Sequence, residues 1–193
     1  MRHRLFSLLL PLSLTACGYN SIQTYDEQAA AAKQQIEVQL QRRADLIPNL
    51  VSTVKGFAQQ ELEVLTNVTR ARAGLVDAIK SGDPEKMANA DAQLSAQIAI
   101  VNRSVVEAYP QLQSDQNFLR LQDELTGTEN RISTSRQDYN DAVKVYNTYI
   151  RTFPTALTAK VTGAKSRTYF EVTNAAAKEA PNVDFSKPAT KSP

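Results

Sequence analysis

The fold is predicted most directly by Asn117 to Pro154, with the sequence NFLRLQDELTGTENRISTSRQDYNDAVKVYNTYIRTFP. Apolar and aromatic residues recur in it at seven-residue spacing, and a second set lies between them. The first set is Phe118, Leu125, Ile132, Tyr139, Tyr146 and Phe153, and the second is Leu121, Thr128, Ser135, Ala142 and Tyr149. A 3.5-residue repeat keeps one seam of a helix turned toward neighbouring helices, as in a coiled coil. At about 1.5 Å per residue this helix would be roughly 55 Å long, so we expect it to pack within a bundle.

The first predicted helix lies near the start of the chain, with Asn20 or Ser21 as its N-cap. Pro48 is expected to kink this helix rather than end it. Its heptad positions are Ile22, Tyr25, Ala29, Ala32, Ile36, Gln39, Arg43, Leu46, Leu50, Thr53 and Phe57, with Leu40, Ile47 and Val54 widening the stripe. A change of phase then predicts a break near Gly56 to Glu61. One uninterrupted helix over residues 21–80 is the alternative.

Two shorter helices are predicted next. The second would present Leu62, Leu65, Thr69, Arg72, Val76 and Ile79, and the third Met87, Asp91, Leu94, Ile98, Val101, Val105 and Ala108. Between them, Ser81 to Pro84 has the composition of a turn: a glycine to end one helix, an aspartate to cap the next and a proline to start it. Pro110 would end the third helix, and Ser114 with Asp115 would begin the long last one.

Four apolar stripes joined by short turns predict an all-α protein, an antiparallel, up-down-up-down four-helix bundle with long first and last helices. Residues 20–154 would form this bundle. Residues 155–193 would form an irregular tail, partly packed on the bundle, with a turn of helix at 174–180 and a disordered end. The two apolar islands of this tail, which we expect to contact the bundle, are Tyr169–Phe170 and Val183/Phe185.

The N-terminus is predicted to be a signal peptide. Basic residues precede a ten-residue apolar run from Leu5 to Leu14, which is too short to span a bilayer. The run ends in Leu14-Thr15-Ala16-Cys17, which resembles a bacterial lipobox. This resemblance implies removal of residues 1–16, acylation of Cys17 with fatty acids such as palmitate, and a lipidated anchor at residues 17–19. The alternative is an ordinary signal peptide followed by an unpaired cysteine.

Lipidation would place the protein in the cell envelope, outside the cytoplasm. Two or three acyl chains attach a protein to a membrane stably, whereas one chain does so only marginally. Gly18 follows Cys17, where an aspartate commonly retains a Gram-negative lipoprotein at the inner membrane. We therefore expect an outer-membrane protein facing the periplasm, if the organism is Gram-negative.

Two long stretches resemble the LemA family. They are IEVQLQRRADLIPNLVSTVKGFA at 36–58 and EAYPQLQSDQNFLRLQDELTGTENRISTSRQDYNDAVKVYNTYIRTFP at 107–154. Tyr169-Phe170 and Pro181-x-Val183-x-Phe185 are similar to the family's C-terminal ending. The resemblance implies an antiparallel four-helix bundle held at a bacterial membrane, with its bulk outside the cytoplasm, and it implies no reaction. The sequence departs from the family where many members carry a transmembrane helix, because a lipobox stands there instead.

The composition argues against most catalysis. The single cysteine and histidine are Cys17 and His3, so the mature chain beyond Cys17 lacks the residues of Ser-His-Asp, Cys-His and zinc chemistry and of a Glu-x-x-His di-iron bundle. No glycine-rich phosphate loop is present. The carboxylate pairs Asp123/Glu124, Glu61/Glu63 and Asp138/Asp141 suit solvated helix faces. We therefore expect neither an enzyme, nor a cofactor, nor a metal.

The charge balance gives no reason to expect nucleic acid as a partner. Without Arg2 and Arg4, the 22 Lys and Arg residues become 20, equal to the 20 Asp and Glu.

The main hypothesis for the function is a lipid-anchored scaffold or adaptor for other envelope proteins. The alternatives are an accessory envelope enzyme, and a binder of peptidoglycan or a small molecule that uses a groove between helices.

The tail suggests a contact with anionic lipid. Its six cations are Lys160, Lys165, Arg167, Lys178, Lys187 and Lys191, against Glu171, Glu179 and Asp184. If the first and last helices are antiparallel, the tail begins near the bilayer, where each basic residue is worth about 1 kcal/mol. A solvated tail is the alternative.

A polar layer is predicted inside the bundle. Gln39 and Arg43 occupy seam positions of the first helix where apolar residues would be expected. In an antiparallel pairing Arg43 would lie opposite Ile132 and within reach of Glu129. Because a carboxylate can satisfy the guanidinium fork, we expect an Arg43–Glu129 pair, at least half buried, that sets the register of the two long helices. The alternative is that Arg43 extends to the rim of the bundle.

Overall fold

The computed structural model describes residues 2–57 and 62–173, with side chains described from Gly18 onward except at 104–106. The regular secondary structure in these ranges is all helical, and they contain no β-strand. The elements are α1 (Arg2–Phe57), α2 (Leu62–Ser81), α3 (Pro84–Ala108), a short 3₁₀ helix (Pro110–Ser114), α4 (Gln116–Tyr149) and α5 (Thr155–Thr162). The all-α class is therefore confirmed.

Helix α4 confirms most of the heptad pattern. Its buried residues are Phe118, Leu121, Leu125, Thr128, Ile132, Tyr139, Val143, Tyr146 and Asn147. Asp115 caps the helix, because its side chain accepts a hydrogen bond from the Phe118 N–H at 2.9 Å. The prediction fails at Phe153, which is 79% exposed. Since α4 ends at Tyr149, Phe153 lies in the following turn, before a cis bond to Pro154, and the heptad no longer applies to it.

Helix α1 keeps the predicted register but not the predicted start. Its buried apolar residues are Ile22, Ala29, Ile36, Leu40, Ala44, Ile47, Leu50 and Val54. The helix passes through Pro48 without ending and begins at Arg2, so an N-cap at Asn20 or Ser21 is wrong. The Asn20 carbonyl accepts a bond from the Thr24 hydroxyl at 2.9 Å, as a carbonyl inside a helix does. Extending a helix costs far less than starting one.

Helix α2 runs back along α1. Arg72 Nε donates to the Ala44 carbonyl at 2.8 Å, so the uninterrupted helix over residues 21–80 is wrong. The predicted break falls where α1 ends at Phe57 and α2 begins at Leu62. Both of these residues were expected on the seam, yet they are 41% and 60% exposed, because they lie at helix ends with fewer neighbours.

The turn between α2 and α3 has the predicted chemistry. Gly82 has a φ of +65°, which favours glycine. The Asp83 side chain accepts hydrogen bonds from the Glu85 and Lys86 N–H groups at 3.0 and 3.4 Å, and Pro84 begins α3. The buried residues of α2 are Leu65, Val68, Leu75 and Ala78, so its stripe is rotated from the predicted one. In α3 the buried apolar residues are Met87, Ala88, Leu94, Ile98 and Val101.

Helices α1 and α4 pack along one another in opposite directions. The ring of Tyr25 in α1 meets the ring of Tyr149, the last residue of α4, edge-on, with centroids 5.0 Å apart. Further along, Arg131 Nε donates to Gln39 Oε1 at 3.2 Å. The α2–α3 hairpin covers the end of this pair farther from residue 18. At the nearer end its place is taken by α5 and by residues 164–173.

The predicted irregular tail is wrong in its first part, because Thr155–Thr162 is a helix. The run of small and polar residues did not indicate one, and α5 is held instead by contact with α1. Ala159 is buried with Ile22, Tyr146 and Ile150. Of the first island, Phe170 is 3% exposed and belongs to the main core as predicted, whereas Tyr169 is 36% exposed. The second island and the helical turn at 174–180 lie outside the described residues.

Candidate functional site

The predicted lipidation site lies at one end of the helical body. Cys17 is within α1, and its side chain lies outside those described. The next residue, Gly18, is already buried. A Cβ at Gly18 would lie 2.9 Å from Thr155 Cγ2, so glycine allows α1 and α5 to approach closely here. Packing against α5 therefore already includes Gly18, the residue that follows Cys17.

A groove opens beside Gly18, between α1, α4 and the turn into α5. Its volume is about 860 Å³, and its apolar lining includes Tyr25, Val145, Tyr149 and Phe153. Asp141 and Lys144 line its edge, together with several threonines. Tyr25 and Tyr149 occupy heptad positions, which predict core residues, and the structure places them half-buried at this groove.

The predicted polar layer contains a partner that the sequence analysis missed. Arg43 is 2% exposed, and its Nη1 donates to Asp91 Oδ1 of α3 at 2.9 Å. Its Nη2 lies 3.6 Å from Glu129 Oε2. The Glu129 side chain is 63% exposed, against 15% for Asp91. The predicted Arg43–Glu129 pair is therefore present within ion-pair distance, but its Glu129 side chain is not half buried. Helix α3 supplies a closer and more buried carboxylate, Asp91.

Not every polar atom of the charged layer is paired. Among the described residues, Arg43 Nε is the one buried side-chain nitrogen or oxygen that has no hydrogen-bond partner. Burial raises the pKa of Asp91, and the opposing attraction of Arg43 does not cancel this effect. Gln39 stands beside the layer and accepts from Arg131 rather than from Arg43. The heptad position of Asp91 in the third helix was a signal that could have identified it.

Residues 164–173, here called the C-terminal strap, are held by asparagine side chains of α4. Asn147 Nδ2 donates to the Arg167 carbonyl at 2.9 Å, and its Oδ1 accepts from the Arg167 N–H at 2.8 Å. Asn140 makes the same pair of bonds with Phe170, at 3.3 and 2.8 Å. Tyr139 adds a hydroxyl bond to the Thr168 carbonyl at 2.7 Å. The strap is thus bound through its backbone.

One ion pair also fixes the strap. Arg167 Nε donates to Asp26 Oδ1 at 2.7 Å, and its guanidinium carbon lies 5.9 Å from the centre of the Tyr146 ring. The hydrogen bond from Arg167 lowers the pKa of Asp26. This contact is therefore complete above the ordinary aspartate pKa of about 3.9 and is lost as the pH falls through the lowered value. Arg167, one of the tail cations, is engaged within the protein.

The described side chains form no group of three acidic, cysteine or histidine residues positioned to bind a metal ion.

Burial raises the pKa of Tyr139 and Tyr146, so both phenols remain protonated near neutral pH. In the same ranges, no helix combines the length and the apolar composition that crossing a membrane requires.

These features define an all-helical protein with an apolar groove beside a lipobox-like cysteine. The LemA family profile matches residues 32–185, and the chain belongs to the LemA family. It is 30% identical over 175 residues to Magnetosome proteins MamQ 2 and MamQ 1 of Paramagnetospirillum magneticum, covering 79% of this chain and 64% of each relative. It is 27% identical over 189 residues to Magnetosome protein MamQ of Magnetospirillum gryphiswaldense, covering 85% of this chain and 68% of the relative. The chain thus spans about two thirds of these relatives' length.

Proposed function

We propose that this protein is a lipid-anchored, non-catalytic scaffold or adaptor of the bacterial envelope, attached through Cys17. The observation that carries the proposal is the burial of Gly18 against α5. Because the residue directly after the lipidated cysteine already packs in the folded body, that body would lie against the bilayer rather than on a flexible tether. Membership of the LemA family and the similarity to proteins named as magnetosome proteins support a place at a membrane.

The scaffold would be an antiparallel four-helix bundle. The opposite directions of α1 and α4, and of α1 and α2, support this arrangement, as does the amide contact between Asn102 of α3 and Gln122 of α4. The Arg43, Asp91 and Glu129 layer would set the register of its helices. A single buried polar layer can specify register even where it adds little stability.

The surface of this bundle suits protein partners better than a reaction. The exposed flanks of α4 carry both signs of charge, and the mature sequence has neither histidine nor cysteine beyond Cys17. The absence of aspartate at position 18 favours the outer membrane, facing the periplasm, in a Gram-negative organism. A small-molecule or peptidoglycan binder is the second candidate, favoured by Tyr25 and Tyr149 at the groove.

Cross-linking in intact cells tests the scaffold role. We expect the wild-type protein to form discrete cross-linked species with other envelope proteins, and we expect Cys17→Ala to lose them because the body leaves the membrane. Ser21→Ala, four residues further along α1, is the matched control and should retain them. Cross-links that are absent from the wild type, or unchanged in Cys17→Ala, would contradict an anchored scaffold. Saturable binding of peptidoglycan fragments would instead favour the second candidate.

A further inference from the structure

Helix α5 is packed with its small and polar side toward the protein. Thr158 and Ala159 are 6% and 4% exposed, whereas Leu157 and Val161 are 59% and 84% exposed. Surface helices ordinarily bury their large apolar residues and expose their small polar ones. Leu157 and Val161 are four residues apart and therefore share one face. Phe153, in the turn that precedes α5, is also exposed, at 79%.

These three residues form a surface that we call the α5 outer face (Phe153, Leu157 and Val161). It is continuous with the groove beside Gly18, because Phe153 lines that groove. It is also next to the proposed anchor, since Thr155 of α5 contacts Gly18, the residue after Cys17. An apolar surface of this kind marks a place where another molecule or a membrane binds.

The charges around the α5 outer face indicate which partner it fits. Lys160 of α5, Arg151 in the preceding turn and Lys144 at the groove are exposed cations. Of the residues that line the groove, Asp141 is the acid, and it is exposed. An apolar face bordered by lysine and arginine is typical of helices that lie in the bilayer interface, where the cations meet anionic headgroups.

We infer that the α5 outer face inserts into the interface of an anionic phospholipid bilayer. This inference deepens the proposed function and rests on the lipid anchor at Cys17. Two attachments separated along the end of the protein fix its orientation, whereas a lipid alone leaves the body free to tilt. The end of the bundle near Phe57 and Phe118 then points away from the membrane and remains accessible to partners.

Tryptophan fluorescence tests the insertion directly, because the chain contains no tryptophan. Leu157→Trp and Val161→Trp each place one fluorophore on the α5 outer face, where the exposure of the native residue leaves room for the ring. Leu119→Trp is the matched control, because Leu119 is 46% exposed in the first turns of α4, at the other end of the bundle. Each full-length, processed variant would be reconstituted in phosphatidylglycerol–phosphatidylcholine vesicles with brominated acyl chains.

We expect blue-shifted emission and quenching by the brominated chains for Leu157→Trp and Val161→Trp, and neither change for Leu119→Trp. If the protein floats with the vesicles but both α5 variants remain unquenched, the inference is overturned and the lipid anchor stands. The same holds if their emission shifts without quenching because a second copy covers the face. If the wild-type protein does not float with the vesicles, the proposed anchor fails and the inference fails with it.

Discussion

Arg43 carries a positive charge into the core at the level where α1, α3 and α4 meet. Its partners differ in environment: Asp91 is nearly buried, whereas Glu129 is largely in water. Attraction between exposed charges is weak, and a buried charge that loses its partner is costly. Asp91 should therefore account for most of the coupling energy with Arg43, although Glu129 also lies within ion-pair distance.

A double-mutant cycle on the free energy of unfolding measures this difference. We expect Arg43→Met and Asp91→Asn each to lower that free energy by about 3–5 kcal/mol, since each leaves a buried charge without its partner. The double variant should lose much less than the sum. The matched control, Glu129→Gln, should cost at most about 1 kcal/mol. Additive losses for Arg43 and Asp91 in urea denaturation would show that the two side chains do not act as a pair.

The sequence predicted the exceptional residue but not its main partner. Arg43 is recognisable because a cation occupies a seam position that is otherwise apolar. Glu129 was assigned from the level of two helices alone, and in the structure its Oε2 lies 3.6 Å from Arg43 Nη2. Asp91 belongs to a third helix, whose level relative to α1 depends on the α2–α3 turn and on residues 58–61. Heptad positions specify which face a residue occupies, but they do not specify its level across separate helices.

The C-terminal strap illustrates how two elements of different geometry can be matched. Asn140 and Asn147 are seven residues apart on α4, a rise of about 10.5 Å. Their partners, Phe170 and Arg167, are three residues apart in an extended segment, which spans about 10 Å. Each amide can therefore bond both the N–H and the carbonyl of one strap residue. This spacing lets a helix bind an extended segment without a β-sheet.

Hydrogen exchange tests the importance of these amides. Asn147→Ala removes both partners of the Arg167 backbone, and unpaired backbone groups cost about 1–3 kcal/mol. We expect the Arg167 amide to exchange at least about tenfold faster, because 1.4 kcal/mol corresponds to a factor of ten in local opening. Asn130→Ala, at an exposed position of α4, should leave that rate unchanged. An Arg167 amide that exchanges equally slowly in both variants would show that other contacts hold the strap.

Helix boundaries were predictable where glycine, proline and aspartate provide local signals. The turn at Ser81 to Pro84 and the cap at Asp115 are of this kind. Helix α5 has no apolar periodicity toward the core, because its larger residues face outward. Its packing is explained by contact with α1 and with the end of α4. The start of α1 was missed for a different reason. Asn20 and Ser21 are residue types that commonly cap helices, but α1 extends through both of them, so their backbone groups are paired within the helix and need no cap.

The whole molecule has two different halves. Far from Cys17, the α2–α3 hairpin covers the pair of long helices with large apolar side chains. Near Cys17, α5 and the strap cover them, and the groove and the α5 outer face remain open. In the first half, the apolar stripes predicted the buried faces of the long helices, although the stripe of α2 is rotated from the predicted one. The second half depends on small residues and on side-chain–backbone bonds, which an apolar pattern does not predict. This difference fits a body with one end at a membrane and the other directed toward partners.

Attachment through Cys17 is the central claim, and metabolic labelling with a fatty-acid analogue tests it most directly. We expect label on the wild-type protein and on the control Ser21→Ala, and none on Cys17→Ala, because the acyl chains are attached to that residue. The labelled protein should also lack residues 1–16. Equal labelling of the wild type and Cys17→Ala, or no labelling of either, would contradict a lipid anchor at this position.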